Sequence, residues 1–116
     1  MSSTFGSYVR KKREALFSQD PNFSLRKVAQ RVGFQPAFLS KVEREEQSPP
    51  SEIKIKSLAK ELGEDPDFLL ALAGKVSSDL LDAIRKRPQL LPVLIRQLKR
   101  LTNKDLELLV NQVSQK

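Results

Sequence analysis

Apolar residues recur along this chain at helical spacing, interrupted by Gly, Pro and short polar residues of the kind that start and stop helices. The sharpest pattern lies between Leu25 and Glu43. Leu25, Val28, Ala29 and Val32 repeat at i, i+3, i+4 and i+7, one apolar face of a helix that Ser24 caps and the turn Asp20-Pro21-Asn22 precedes. Gly33 then breaks the pattern where a helix end needs a left-handed residue. A second run follows, with Leu39, Val42 and Glu43 on one side. Only about three residues are left to join the two helices, and so short a link makes them cross steeply. Ala29 is small where the second helix presses closest, Phe34 can plug the gap after the turn, and Leu39 and Val42 hold the second helix down. Its opposite face, with Gln35, Ala37, Phe38 and Lys41, stays free.

The flanking segments read the same way. A helix over Thr4–Phe17, capped by Ser3 or Thr4, turns Phe5, Val9, Leu16 and Phe17 inward. Arg13 falls on that face, and Glu43 falls on the inner face of the later helix. An isolated buried charge is costly, so each needs a partner or a path to water. After the stiff loop Gln47-Ser48-Pro49-Pro50, Ser51 caps a helix with Ile55, Leu58, Ala59 and Leu62 inward and Gly63 as its stop. Asp65 caps the next, with Pro66 at its first position, Phe68, Leu69 and Leu72 inward, and Gly74 as its stop. From about residue 75 the pattern continues. Ser77 or Ser78 caps a helix holding Leu80, Leu81 and Ile84, which ends in Arg85-Lys86-Arg87-Pro88. A second spans about Leu91–Leu101, with Leu91, Leu94, Leu98 and Leu101 on one face. Thr102 caps a third, with Leu106, Leu109, Val110 and Val113 at helical spacing. The expectation is an all-α chain with a domain over residues 1–74 and a short C-terminal helical appendage over 75–116.

Residues 25–43 resemble the helix-turn-helix of the lambda-repressor/Cro superfamily, the XRE-type regulators. Val28-Ala29, Val32-Gly33 and Phe38-Leu39-Ser40-Lys41-Val42-Glu43 carry the likeness. It continues through Leu58-Ala59 and Leu62-Gly63 to Asp65-Pro66-Asp67-Phe68-Leu69-Leu70, and so covers roughly residues 5–74. The chain departs from the family in two places. Glu45 stands where the family usually has glycine, and the link Ser18–Phe23 is longer than usual. The link reads as a solvated loop, with contact to DNA backbone as the alternative. The resemblance implies a five-helix lambda-repressor-like DNA-binding domain and a salt bridge between Arg13 and Glu43 across its core. The alternative for that pair is two edge charges that reach water.

Composition narrows the function. Net charge is +7 and the pI is about 9.9, which favours a polyanionic partner. Residues 1–46 carry nine basic and five acidic groups (+4), residues 47–76 four and five (−1), and residues 77–116 eight and four (+4). The chain has no Cys and no His, which removes disulfides, thiolate nucleophiles and the commonest general base and metal ligand. No Gly-rich phosphate loop, nucleophile–base pair or metal cluster occurs, so neither an enzyme nor a cofactor is expected. No apolar run approaches a membrane span, and the N-terminus lacks the apolar core of a signal peptide. The expected setting is the cytoplasm, on nucleoid DNA.

The leading reading is a sequence-specific DNA-binding regulator, taken as a repressor, whose second motif helix enters the major groove of double-stranded DNA. Arg26 and Lys27 would grip the phosphate backbone. Gln35 can bond adenine bidentately, Ala37 and Phe38 can meet thymine methyls, and Lys41 can reach guanine or a phosphate. Ser40, Arg44 and Arg10 are further candidates; for Phe38 the alternative is a core residue. The appendage must bury its apolar stripes. A homodimer through Leu91, Leu94, Leu98, Leu101, Leu106, Leu109, Val110 and Val113 is favoured over packing against its own domain, and it predicts an inverted-repeat operator. The alternative function is an antitoxin-type module whose C-terminal helices hold a toxin or other protein effector.

Overall fold

Short polar residues fix where the helices begin. In the computed structural model, which describes residues 4–116, α1 spans Phe5–Phe17 and follows Thr4. Thr4 makes no side-chain cap bond, and the other expected cap, Ser3, lies outside the described residues. Asp20 opens a single 3-10 turn, Pro21–Phe23, by accepting from the Asn22 amide. The Ser24 hydroxyl accepts from Lys27 N at the start of α2 (Leu25–Val32), and Pro36 occupies the first turn of α3 (Pro36–Glu43). Ser51 and Asp65 cap α4 (Glu52–Leu62) and α5 (Pro66–Leu72). Three more helices follow: α6 (Ser78–Lys86), α7 (Leu90–Leu98) and α8 (Asn103–Ser114). Thr102 and Asp105 form a reciprocal capping box that starts α8. The fold is all-α, with no strand among the described residues.

The chain divides into two compact units, Met1–Ser77 and Ser78–Lys116. The first runs past Gly74 because Lys75 Nζ donates to the Pro50 carbonyl at 2.9 Å and Ser77 is buried. Its core joins all five helices: Phe5 and Val9; Val28, Ala29 and Val32; Leu39 and Val42; Ile55, Leu58, Ala59 and Leu62; Leu69 and Leu70. Two aromatic residues expected inside are at the surface. Phe17 is 46% exposed, because Phe5, Val9, Arg13 and Leu16 already define the inner stripe of α1 and Phe17 falls to its side. Phe68 is 40% exposed; its ring meets Tyr8 edge-on with centroids 5.2 Å apart, while Leu70 takes the buried position beside Leu69. Gly6 is buried where α1 crosses the end of α3, and a Cβ there would stand 2.1 Å from the Val42 carbonyl oxygen.

In the second unit no residue of α6, α7 or α8 is buried. Leu90, Val93, Leu94, Ile95, Leu108, Val110 and Val113 are all exposed. Helix α7 ends at Leu98, so Leu101 is not on it as expected but in the link to α8, which the Thr102 cap forces to begin immediately afterwards.

Candidate nucleic-acid interface

The two motif helices are joined by Gly33, Phe34 and Gln35. Gly33 adopts φ 90°, and the amides of Gly33 and Phe34 both donate to the Ala29 carbonyl, closing α2. Lys54, from α4, reaches the same end: its Nζ donates to the Val32 carbonyl at 2.9 Å and lies 5.8 Å from the centre of the Phe34 ring. A cation there complements both the free carbonyls and the negative end of the helix dipole. Phe34 in turn packs against Phe38, ring centroids 5.1 Å apart. The turn is therefore held from three sides.

Beneath it, Arg13 and Glu43 meet in a buried, two-pronged ion pair, Nε to Oε2 at 2.7 Å and Nη2 to Oε1 at 3.0 Å. The third guanidinium nitrogen donates to the Phe23 carbonyl at 3.2 Å. One side chain thus ties α1, the 3-10 turn and α3 together, and α3 cannot roll without breaking charge-assisted hydrogen bonds. The long link before α2 is not a loose loop. Arg31 donates to Glu61 at 2.6 Å and to the Asn22 carbonyl at 2.8 Å, with its guanidinium over the Phe23 ring. Neither Arg31 nor Lys54 is singled out by sequence reasoning. Arg31 has a local signal, a cation in the last turn of a helix; the hydrogen-bond partner of Lys54, Val32, lies 22 residues away.

The outward face carries the expected polar set. Gln35, Ala37, Lys41 and Arg44 are exposed on or beside α3, and Ser40 is half-buried. Gln35, the residue before α3, makes no side-chain cap bond. Phe38 is half-buried and packed on Phe34, so only part of its ring faces outward, less than the free apolar contact expected of it. Arg26 and Lys27 are exposed in the first turn of α2. Arg26 shares a shallow groove with Gln30, Phe34 and Pro36, which joins the start of α2 to the start of α3. Charge partners divide the cations. Arg44 is paired with Glu46 at 2.7 Å and Arg10 with Glu14 at 3.4 Å, both in water. Arg26, Lys27 and Lys41 have no side-chain partner among the described residues.

Residues 19–69, which contain α2, the turn and α3 but not the Arg13 of the ion pair, match the family described as Helix-turn-helix. They form an XRE-type helix-turn-helix domain. Comparison with curated proteins and with solved structures finds no match. The helix-turn-helix domain is the DNA-binding part of a transcriptional regulator, and its family is one of regulators rather than enzymes. No helix among the described residues is long and apolar enough to cross a membrane, and no group of three or more acidic residues among them is placed to hold a metal ion.

Proposed function

We propose that the protein is a sequence-specific repressor that seats α3 in the major groove and works as a homodimer on an inverted repeat. The observation that carries the reading is where the unpaired cations fall. Arg31, Lys54 and Arg13 each have a partner in the fold, whereas Arg26, Lys27 and Lys41, on and beside the open face of α3, have none among the described residues. Phosphates would supply those partners, and displaced counterions most of the affinity. Gln35 and Ala37, at the start of α3, would meet base edges, Gln35 through adenine and Ala37 through a thymine methyl. Lys41, one turn on, reaches guanine or a phosphate. Repression then needs only that the occupied site be one that transcription requires, and the reading puts the protein on chromosomal DNA in the cytoplasm.

Dimerisation rests on the second unit. Its helices have apolar side chains and no buried residue, so a further surface must cover them. A second copy does so and gives two recognition helices about 34 Å apart. The same open stripes favour a second reading, a protein effector held by α6–α8 as in an antitoxin. Selection of bound sequences from random duplex DNA tests the main reading. An inverted repeat with half-sites one helical turn apart is expected. No enrichment, or a single half-site, overturns the dimeric repressor.

A further inference from the structure

Residues 77–116 carry eight basic and four acidic groups, a surplus that the apolar stripes do not explain. Two of the acids are engaged locally: Asp82 pairs with Arg85 at 3.0 Å, and Asp105 accepts from the Thr102 amide in the capping box. Around the α7–α8 corner the balance is one-sided. Arg96, Lys99, Arg100 and Lys104 are exposed and make no ion pair among the described residues. Arg96 and Lys99 share one groove with Pro92 and Ile95, so they project from a common face at the end of α7. The negative end of α7 favours a cation in its last turn, which accounts for Arg96. It does not account for Lys104, which stands in the first turn of α8, where the helix dipole disfavours a cation. Arg96, Lys99, Arg100 and Lys104 fall within nine residues around the α7–α8 link, and so dense a run of one sign favours a polyanion as its partner.

We infer that this corner is a second, sequence-independent contact to the DNA phosphate backbone. The inference rests on the proposed DNA-binding function. It adds that a bound protomer neutralises phosphates from two places: from α2 and α3 through Arg26, Lys27 and Lys41, and from the C-terminal unit through Arg96, Lys99, Arg100 and Lys104. Charge complementarity selects the occupant, because the same chain already presents unpaired cations on the face of α3. Contacts of this kind raise affinity for any duplex and leave the base preference untouched.

The test uses the full chain with the triple change Arg96→Ala, Lys99→Ala and Arg100→Ala, beside the charge-keeping Arg96→Lys, Arg100→Lys variant. Binding to a short random-sequence duplex is measured between about 50 and 200 mM salt. The triple variant should lower the slope of log affinity against log salt by about 2 to 3 per bound protomer. The drop should be the same on a selected operator, with base preference and sedimentation behaviour unchanged. The Arg-to-Lys variant should keep the wild-type slope. A triple variant with the wild-type slope overturns the inference even if wild-type binds DNA, and wild-type capture by phosphatidylserine vesicles alongside that unchanged slope would assign the cluster to anionic lipid instead. Failure of the wild-type chain to bind any duplex would overturn the proposed function along with it.

Discussion

Arg13 shows how much one side chain decides. It lies on the inner stripe of α1 between Val9 and Leu16, positions that are otherwise apolar, and its charge is tolerable there only because Glu43 and the Phe23 carbonyl satisfy it. Arg13→Ala leaves Glu43 buried and unpaired, so urea unfolding should show a loss of roughly 3–5 kcal/mol. Adding Glu43→Gln should cost less than the sum of the single changes; additive losses would mean that the two residues do not act as a pair. Tyr8 offers a second local test. Its hydroxyl donates to the Glu64 carboxylate, and that bond, with burial and the carboxylate charge behind it, raises the phenol above its ordinary 10.0. A raised value means that the folded state favours the protonated phenol. Its contribution to stability is therefore whole below about pH 10 and is lost as pH climbs through the raised value. Tyr8 is the chain's one tyrosine, so phenolate absorbance reports it alone. Titration above 10 in the wild type and nearer 10 in Glu64→Gln is expected; identical curves would remove the bond from the account. Charged residues on apolar faces stand out in the sequence. Their partners depend on which helices meet, which is why Tyr8–Glu64, 56 positions apart, is invisible before the fold is known.

The helix ends are where local chemistry and fold agree best. Ser24, Ser51, Asp65 and Thr102 begin helices in the structure, and α2, α4 and α5 close with Gly33, Gly63 and Gly74 in the left-handed region. Helix α3 closes in the same way without glycine. Glu45 adopts φ 64°, and the Glu46 amide donates back to the Lys41 carbonyl at 2.8 Å, just as Glu64 does to Ala59 and Lys75 to Leu70. The departure from the family at Glu45 therefore changes the residue and keeps the geometry, with strain of about 1–2 kcal/mol for a side chain in that region. Glu45→Gly should raise stability by about 1 kcal/mol in thermal or urea unfolding. A loss instead would show that the Glu45 side chain, which lies over Gly6, contributes more than the strain costs. Sequence reasoning erred where no Gly or Pro marks a boundary. Helix α7 stops at Leu98 and not Leu101, since the Thr102 capping box imposes the start of α8. It erred again where aromatic residues flank a stripe, as Phe17 and Phe68 do, because periodicity gives a face's direction better than its width.

At the scale of the whole molecule the two units pose different problems. The first has a closed apolar core and an outward face on which Arg26, Lys27 and Lys41 have no side-chain partner among the described residues; the second has apolar stripes that nothing in its own helices buries. If a second copy covers those stripes, Leu94→Asp or Leu109→Asp should yield monomers in sedimentation at tens of micromolar. They should keep the fold of the first unit and lose most operator affinity, because one recognition helix reads only a few base pairs. A wild-type chain that stays monomeric, or an aspartate variant that still dimerises, would return α6–α8 to the effector reading. The central claim, that the face of α3 meets DNA, is tested most directly by equilibrium binding of Lys41→Ala across salt concentrations on a selected duplex and its single-base variants. Lys41 is exposed in the last turn of α3 with no ion pair among the described residues, so its loss should weaken binding. If it holds a phosphate, the salt slope falls by about 1 on every sequence. If it reads guanine, discrimination at one base drops by about 1–3 kcal/mol. Binding unchanged at low and moderate salt would contradict the account.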